Sequence, residues 1–318
     1  MLGRDLPASD GRRRVSLRIL TVGARGCMGR QRVLGSRSLL ALAITLLFWS
    51  SAFAGIRAGL RGYSPGHLAL LRFLVASATL AIYALATRMR LPATSDLPGI
   101  ALTGFLGITV YHVALSYGER SVSAGAASFL INSAPVITAV LATIFLGERL
   151  GARGWVGIGI SLAGVSLIAF GEGGGMRLAP GALLILIAAL GESVYFILQK
   201  RYFLKYRPLE VTTYGIWAGM IFMLVFLPGL AREIAAAPLG ATLSVVYLGI
   251  CPAAIAYVTW AYFMSKAPAG EATSFLFLVP ALAVVTAWLW LGEVPNPVSL
   301  LGGALALAGV LLVNMKAG

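Results

Sequence analysis

Residues 123–148 read SAGAASFLINSAPVITAVLATIFLGE: an apolar stretch with one proline near its middle and no charge before Glu148. It recurs 145 residues later, where residues 270–293 read GEATSFLFLVPALAVVTAWLWLGE. Pro135 falls on Pro280, and Gly147-Glu148 falls on Gly292-Glu293. The register persists into the next segment, where Leu162-Ala163-Gly164-Val165 matches Leu307-Ala308-Gly309-Val310. A period of half the chain, built from membrane-length apolar segments, is the mark of a duplicated transport fold.

The composition agrees. Of 318 residues, 59% are hydrophobic and 11% charged, against about 25% charged in soluble globular domains. The segments are apolar all round for about 20 residues, which indicates membrane helices rather than the roughly 10-residue alternation of barrel strands. The net charge is +14, and residues 1–38, with nine arginines and two aspartates, hold +7 of it. No nucleic-acid motif accompanies this excess, so it reads as topology and not as nucleic-acid binding. Cys27 and Cys251 lie in the tail and in an apolar span, with no disulfide or metal site implied.

The expected fold class is an all-α polytopic membrane protein of ten transmembrane helices in two inverted five-helix repeats. Residues 1–38 form a basic cytoplasmic tail, disordered, or a start placed too early with Met28 the true first residue. A lipid-binding or targeting segment is the functional reading of the same tail. Spans are expected near 39–60, 65–86, 97–118, 123–147, 154–171, 180–202, 210–229, 239–264, 270–292 and 297–315. Repeat 1 then covers 39–171, a glycine-rich linker 172–179, and repeat 2 180–315. Ala52-Phe53-Ala54 resembles a signal-peptide cleavage site, but cleavage would leave the first repeat one helix short. With the amino terminus inside, nineteen Lys and Arg fall on the cytoplasmic side and five outside, or ten against five without the tail. Both termini are therefore expected in the cytoplasm. Five spans per repeat is odd, so the second repeat enters the bilayer inverted, the basis of alternating access.

The two proline-centred spans closing in Leu-Gly-Glu, each followed by a glycine-rich Leu-Ala-Gly-Val span, resemble the EamA family of the drug/metabolite transporter superfamily. Trp49-Ser50-Ser51-Ala52-Phe53 with Arg57, the early Arg72 of the second span, and Ala114-Leu115-Ser116-Tyr117 are similar to that family's pattern. The resemblance covers roughly residues 39–315. It implies a central cavity lined by spans 1, 3, 4, 6, 8 and 9, with spans 5 and 10 peripheral, and substrates such as amino acids, metabolites or toxic cations. The family usually has glycine where Ser50 stands and a small or aromatic residue near Glu192, so Glu192 points to a preference particular to this chain.

Glu192, near the middle of the sixth span, carries the strongest chemical signal. An ionised carboxylate there costs about 3 kcal/mol on insertion scales, so it must face the interior, be paired, or be protonated. Burial disfavours the charged form, which suits a proton-coupling site or an anchor for a substrate cation; the structural alternative is a pair with Arg72. Arg72 itself reads as architectural. His112 beside Tyr111 is more often a packing residue than a ligand. Asn132 lies one turn before Pro135, whose ring frees a carbonyl that can line a cavity; Pro135 and Pro280 are expected hinges. Thr273 stands in the ninth span where Ser128 stands in the fourth, and such residues also serve as interhelical glue. Trp49, Phe53, Tyr111, Tyr195, Tyr257 and Phe277 fall in the cavity spans and, with one carboxylate, suit an organic cation or amphipathic amine. Trp288 and Trp290 read as an interfacial belt. Glycines of the fifth and tenth spans suit close helix approach within the chain, or a homodimer contact.

These features together point to an inner-membrane secondary transporter, set in a lipid bilayer, that exports a small-molecule substrate. Without an ATP motif it is driven by protons or by an exchange substrate, and it needs no cofactor. An uptake permease for a nucleoside or metabolite is the near alternative. An intramembrane enzyme or a membrane scaffold is the alternative of a different class.

Overall fold

The computed structural model describes residues 36–146, 151–172, 179–199, 202–264 and 275–314. These all belong to one compact unit, Ser36–Gly318. The expected tail over residues 1–35, linker residues 173–178, Glu148 and Thr273 lie outside the described residues.

Apolar stretches of this length satisfy their amides in hydrocarbon by closing them into helices. In chain order these are α1 (Ser36–Gly59), α2 (Pro65–Ala86), α3 (Thr94–Gly118), α4 (Ala124–Ile131), α5 (Ala134–Leu146) and α6 (Ala152–Glu172). Then come α7 (Pro180–Gln199), α8 (Pro208–Met223), α9 (Leu230–Ala236), α10 (Leu239–Phe263), α11 (Val279–Leu291) and α12 (Pro297–Asn314). Among the described residues, seven helices are long and apolar enough to cross a membrane: α1, α2, α3, α6, α7, α8 and α10. Three further apolar helices are shorter, in the fourth, ninth and tenth segments.

The departures from ten plain spans have physical causes. The fourth segment is two helices meeting at Asn132-Ser133, because Pro135 has no N–H for the Ile131 carbonyl and Asn132 caps α4, its Nδ2 donating to the Ser128 carbonyl at 3.0 Å. In the ninth segment a 3-10 turn, Phe275–Leu278, precedes α11. Helices α5 and α11 are each 13 residues long. Each carries its proline second, where the missing donor costs nothing. α3 and α10 each contain a π turn, Phe105–Val110 and Cys251–Ile255, at matching places in the two halves. The short helix α9 falls between the seventh and eighth segments. It starts after Gly229, whose φ of +88° suits glycine. Its Glu233 accepts from the Ser64 amide at 2.9 Å, tying it to the start of α2.

Helix α1 packs on α10 and α11, as α7 packs on α3 and on α4 and α5. Helix α2 packs on α10 as α8 packs on α3, while α2 meets α8, α4 meets α11 and α6 meets α12. Most of these contacts have a counterpart in the other half. An apolar core around Leu70, Phe73, Ile108, Ile216 and Met223 joins α2, α3 and α8. Helices α6 and α12 run antiparallel at backbone distance: Gly157 lies against Gly309, and Gly164 against Gly302 and Ala306. These glycines thus serve a contact inside the chain, one of their two expected uses.

A Cβ at Gly164 would stand 2.4 Å from the Ala306 nitrogen, whereas nothing lies within 4 Å of one at Gly159. Gly164→Leu is therefore expected to cost about 1–3 kcal/mol or more, and Gly159→Leu less than about 0.5 kcal/mol. Unfolding of both variants in detergent checks the contrast.

Candidate functional site

The middle of α7 is fastened on both sides of Glu192. A Cβ at Gly191 would stand 3.0 Å from the Leu106 carbonyl oxygen, and one at Gly107 would stand 2.3 Å from Tyr195 Cγ. The π turn of α3 and the flank of α7 therefore touch, with the Tyr195 ring lying over Gly107. The buried Ser193 hydroxyl donates to the Ala134 carbonyl at 3.0 Å, tying α7 to the first turn of α5.

Glu192 itself is partly exposed. It has no hydrogen-bond or ion-pair partner among the described residues. Tyr111, Tyr195 and Tyr257 are near enough to feel its charge. The Tyr257 ring lies 5.5 Å from Trp49, which in turn lies 5.3 Å from Trp260. Thr45 and Thr259 hydroxyls meet at 2.7 Å, and Ser51 and Tyr247 at 2.6 Å, locking α1 to α10 behind this aromatic wall. Arg72 is 3% exposed, feels Tyr111 and Tyr257, and sits 5.5 Å over the Phe73 ring. Its Nε has no partner, and it forms no ion pair with Glu192 among the described residues.

The structure thus brings together Trp49, Tyr111, Glu192, Tyr195 and Tyr257, with Phe53 buried one turn along from Trp49. His112 touches this group through Tyr111: its buried ring lies 4.5 Å from those of both Phe73 and Tyr111. Asn132 spends its amide on its own helix. Phe277 packs against the Val136, Ile158 and Val310 cluster. Pro135 and Pro280 open α5 and α11. Thr273 is outside the described residues. Trp288 and Trp290 are 58% and 42% exposed, as an interfacial belt requires.

A second polar cluster at the Glu293 end escapes sequence reading. Arg57 donates from Nη2 to Glu293 Oε1 at 2.9 Å and from Nη1 to the Glu119 backbone carbonyl at 2.6 Å. A hollow of about 530 Å³ opens beside them, lined by Arg57, Arg61, Arg120, Gly292 and Glu293. Another of about 450 Å³, lined by Ser95, Asp96, Tyr202 and Lys205, lies by the loop joining α7 to α8. Neither hollow includes Glu192. Of seven described acids, five are held: Asp96 by Lys205 and Tyr206, Glu172 by the Ser123 amide and the Ser299 hydroxyl, Glu210 by the Arg207 amide, Glu233 by the Ser64 amide, and Glu293 by Arg57. Glu119 and Glu192 are the two carboxyl groups without a partner among the described residues.

A bundle of apolar helices, seven of the described ones long enough to cross a bilayer, is the architecture of a multi-pass membrane protein. The EamA-like transporter family model matches residues 36–170 and again 179–315, and the chain belongs to that family and hence to the drug/metabolite transporters. It is 48% identical to the uncharacterized transporter YdfC of Bacillus subtilis (strain 168), over 87% of this chain and 91% of that one. It is 44% identical to a probable terminal-alkyne amino-acid exporter of Streptantibioticus cattleyicolor, over 88% and 94%. The uncharacterized inner membrane transporter YedA of Escherichia coli (strain K12) is 27% identical over 86% and 90%. One crystal structure is similar in fold, with a TM-score of 0.57 and 23% identity over 88% of this chain and 96% of that one.

Gly107→Ala should displace Tyr195 and cost about 1–3 kcal/mol. Adding Tyr195→Ala should relieve that clash, so the pair is expected to be non-additive by about 1 kcal/mol or more. A double-mutant cycle of unfolding in detergent measures it.

Proposed function

We propose that this transporter exports a small organic solute carrying an amine, an amino acid or an amphipathic cation, by alternating access. The observation that carries the reading is Glu192. It is the mid-span acid, it has no partner among the described residues, and it stands among tyrosines from helices of both halves. A positively charged end of a solute would find there a carboxylate and the faces of Trp49 and Tyr257. The aromatic wall gives the apolar part of such a solute a surface to lie on.

Alternating access is supported by three features: the helix contacts that recur in the two halves, the antiparallel crossing of α6 and α12, and the two half-helices opening on proline. They fit two inverted five-helix repeats, residues 39–171 and 180–315, which can rock about an axis in the membrane plane. The excess of Lys and Arg puts both termini inside and the Arg57–Glu293 bridge on the outer face. In that reading the outer end is bridged shut. A proton gradient or an exchanged solute supplies the driving force. The export direction and the amino-acid class are favoured by the Streptantibioticus relative, whose name describes such an exporter.

The test is flux in proteoliposomes, with amino acids and quaternary amines first screened by thermal shift on the purified protein. Glu192→Gln removes a charge-assisted contact of about 1.5–3 kcal/mol. Affinity for the best cationic solute should then fall about ten- to a hundredfold while insertion is unchanged. Unaltered binding and unaltered proton dependence in that variant would defeat the reading. Trp49→Ala should weaken binding of the same solute by about 0.5–2 kcal/mol.

A further inference from the structure

Glu119 follows the last turn of α3 and lies just past the span, at the end where Arg57 bridges to Glu293. It is 0% exposed, and neither carboxyl oxygen has a hydrogen-bond partner. Among the described residues, the charged or titratable groups around it can be named. Arg57 on α1, Arg72 on α2 and Glu293 after α11 act on it; Tyr111 on α3 feels its charge, and Arg120 is its chain neighbour. The described part of α4 carries no titratable side chain, and neither does α7 before Glu192. Arg57 is already committed, to the Glu293 carboxylate and to the backbone carbonyl of Glu119 rather than its side chain. An ionised carboxylate with no partner in such a place would bear the full cost of desolvation.

We propose that Glu119 is a proton-exchange site. It holds a proton while Arg57 bridges to Glu293, and it gives that proton to water when the bridge opens. On opening, the O–H bond of the carboxylic acid breaks, the electron pair stays on the carboxylate, and the proton passes to water at that face. The freed Arg57 guanidinium, already placed against the Glu119 backbone, becomes the counter-ion. Closing reverses each step. Proton uptake and release are thereby tied to the contact between α1 and the end of α11, one from each half of the chain.

Burial pushes the Glu119 carboxyl well up from its usual range; Arg57 and Arg72 pull against this, and Glu293 adds to it. The neutral acid therefore persists to higher pH than in an ordinary glutamate, and the ionised form takes over as pH rises. Neutralising Glu293 removes a contribution that raises Glu119 and releases Arg57 to act on it, so both changes move the titration down.

The proposal goes beyond the transporter reading and is tested without measuring transport. Infrared spectroscopy of the full chain in nanodiscs reads protonated carboxyl groups directly. At pH 6, where a free glutamate of pKa about 4.3 is ionised, the wild type should show a protonated-carboxyl band. Part of it should vanish in Glu119→Gln and survive in Glu192→Gln. In Glu293→Gln the same component should titrate at lower pH than in the wild type. A Glu119→Gln spectrum identical to wild type at pH 6 would overturn the proposal, as would a Glu119 component unmoved by Glu293→Gln. If Glu119→Gln fails to fold, the Glu293→Gln shift decides alone. Absence of solute flux would defeat the transporter reading and leave this result standing.

Discussion

A peptide group inside hydrocarbon must find its hydrogen-bond partner within the protein. Among the described residues the regular α-helix gives way at several places in the apolar segments, among them the π turns at 105–110 and 251–255, the break at Asn132-Ser133, and the 3-10 turn before α11. Other protein, rather than lipid, lies against three of them. The α3 turn lies against α7 and α8, and the α10 turn against α1 and α2. At the break in the fourth segment, the Ser193 hydroxyl reaches the Ala134 carbonyl. Irregular backbone is tolerated where other protein lies against it.

That arrangement divides the charged groups into two kinds. Four of the described acids fasten one segment to another and Glu210 caps its own helix, each with a donor in place. Glu192 and Glu119 have none. One lies mid-span among tyrosines, the other at the end closed by Arg57 and Glu293. Arg72 is the cation that accompanies them, buried and within electrostatic reach of Tyr111, Tyr257 and Glu119 but bridged to neither acid. A structural ion pair would have fixed these charges at the cost of leaving nothing for a ligand or a proton.

Much of this was legible in the sequence. The repeat of Pro135 on Pro280 marks the half-helices, and mid-span Glu192 identifies itself because a charge there is costly enough to need a reason. The first π turn is not legible: Phe105–Val110 carries no proline, and Gly191 and Tyr195 of another helix lie close against it. Glu119 sits at a segment boundary, where a glutamate reads as solvated; only the packing of α1, α2 and the end of α11 buries it. Asn132 reads as cavity-lining from the carbonyl that Pro135 frees one turn on, and Phe277 from its place in a cavity span; in the structure the Asn132 amide donates to its own helix and Phe277 packs against Val136, Ile158 and Val310.

Ser64-Pro65 and Arg207-Pro208 open equivalent helices, α2 and α8, in the two halves, and both Ser64 and Arg207 are exposed. With Cys27 and Cys251 replaced by serine, single cysteines at 64 and 207 can be labelled in sealed vesicles with a membrane-impermeant thiol reagent. Inverted halves require labelling from opposite faces, 64 from outside and 207 only after the inner face is exposed. Labelling of both from the same face would contradict the inverted arrangement and the alternating access built on it.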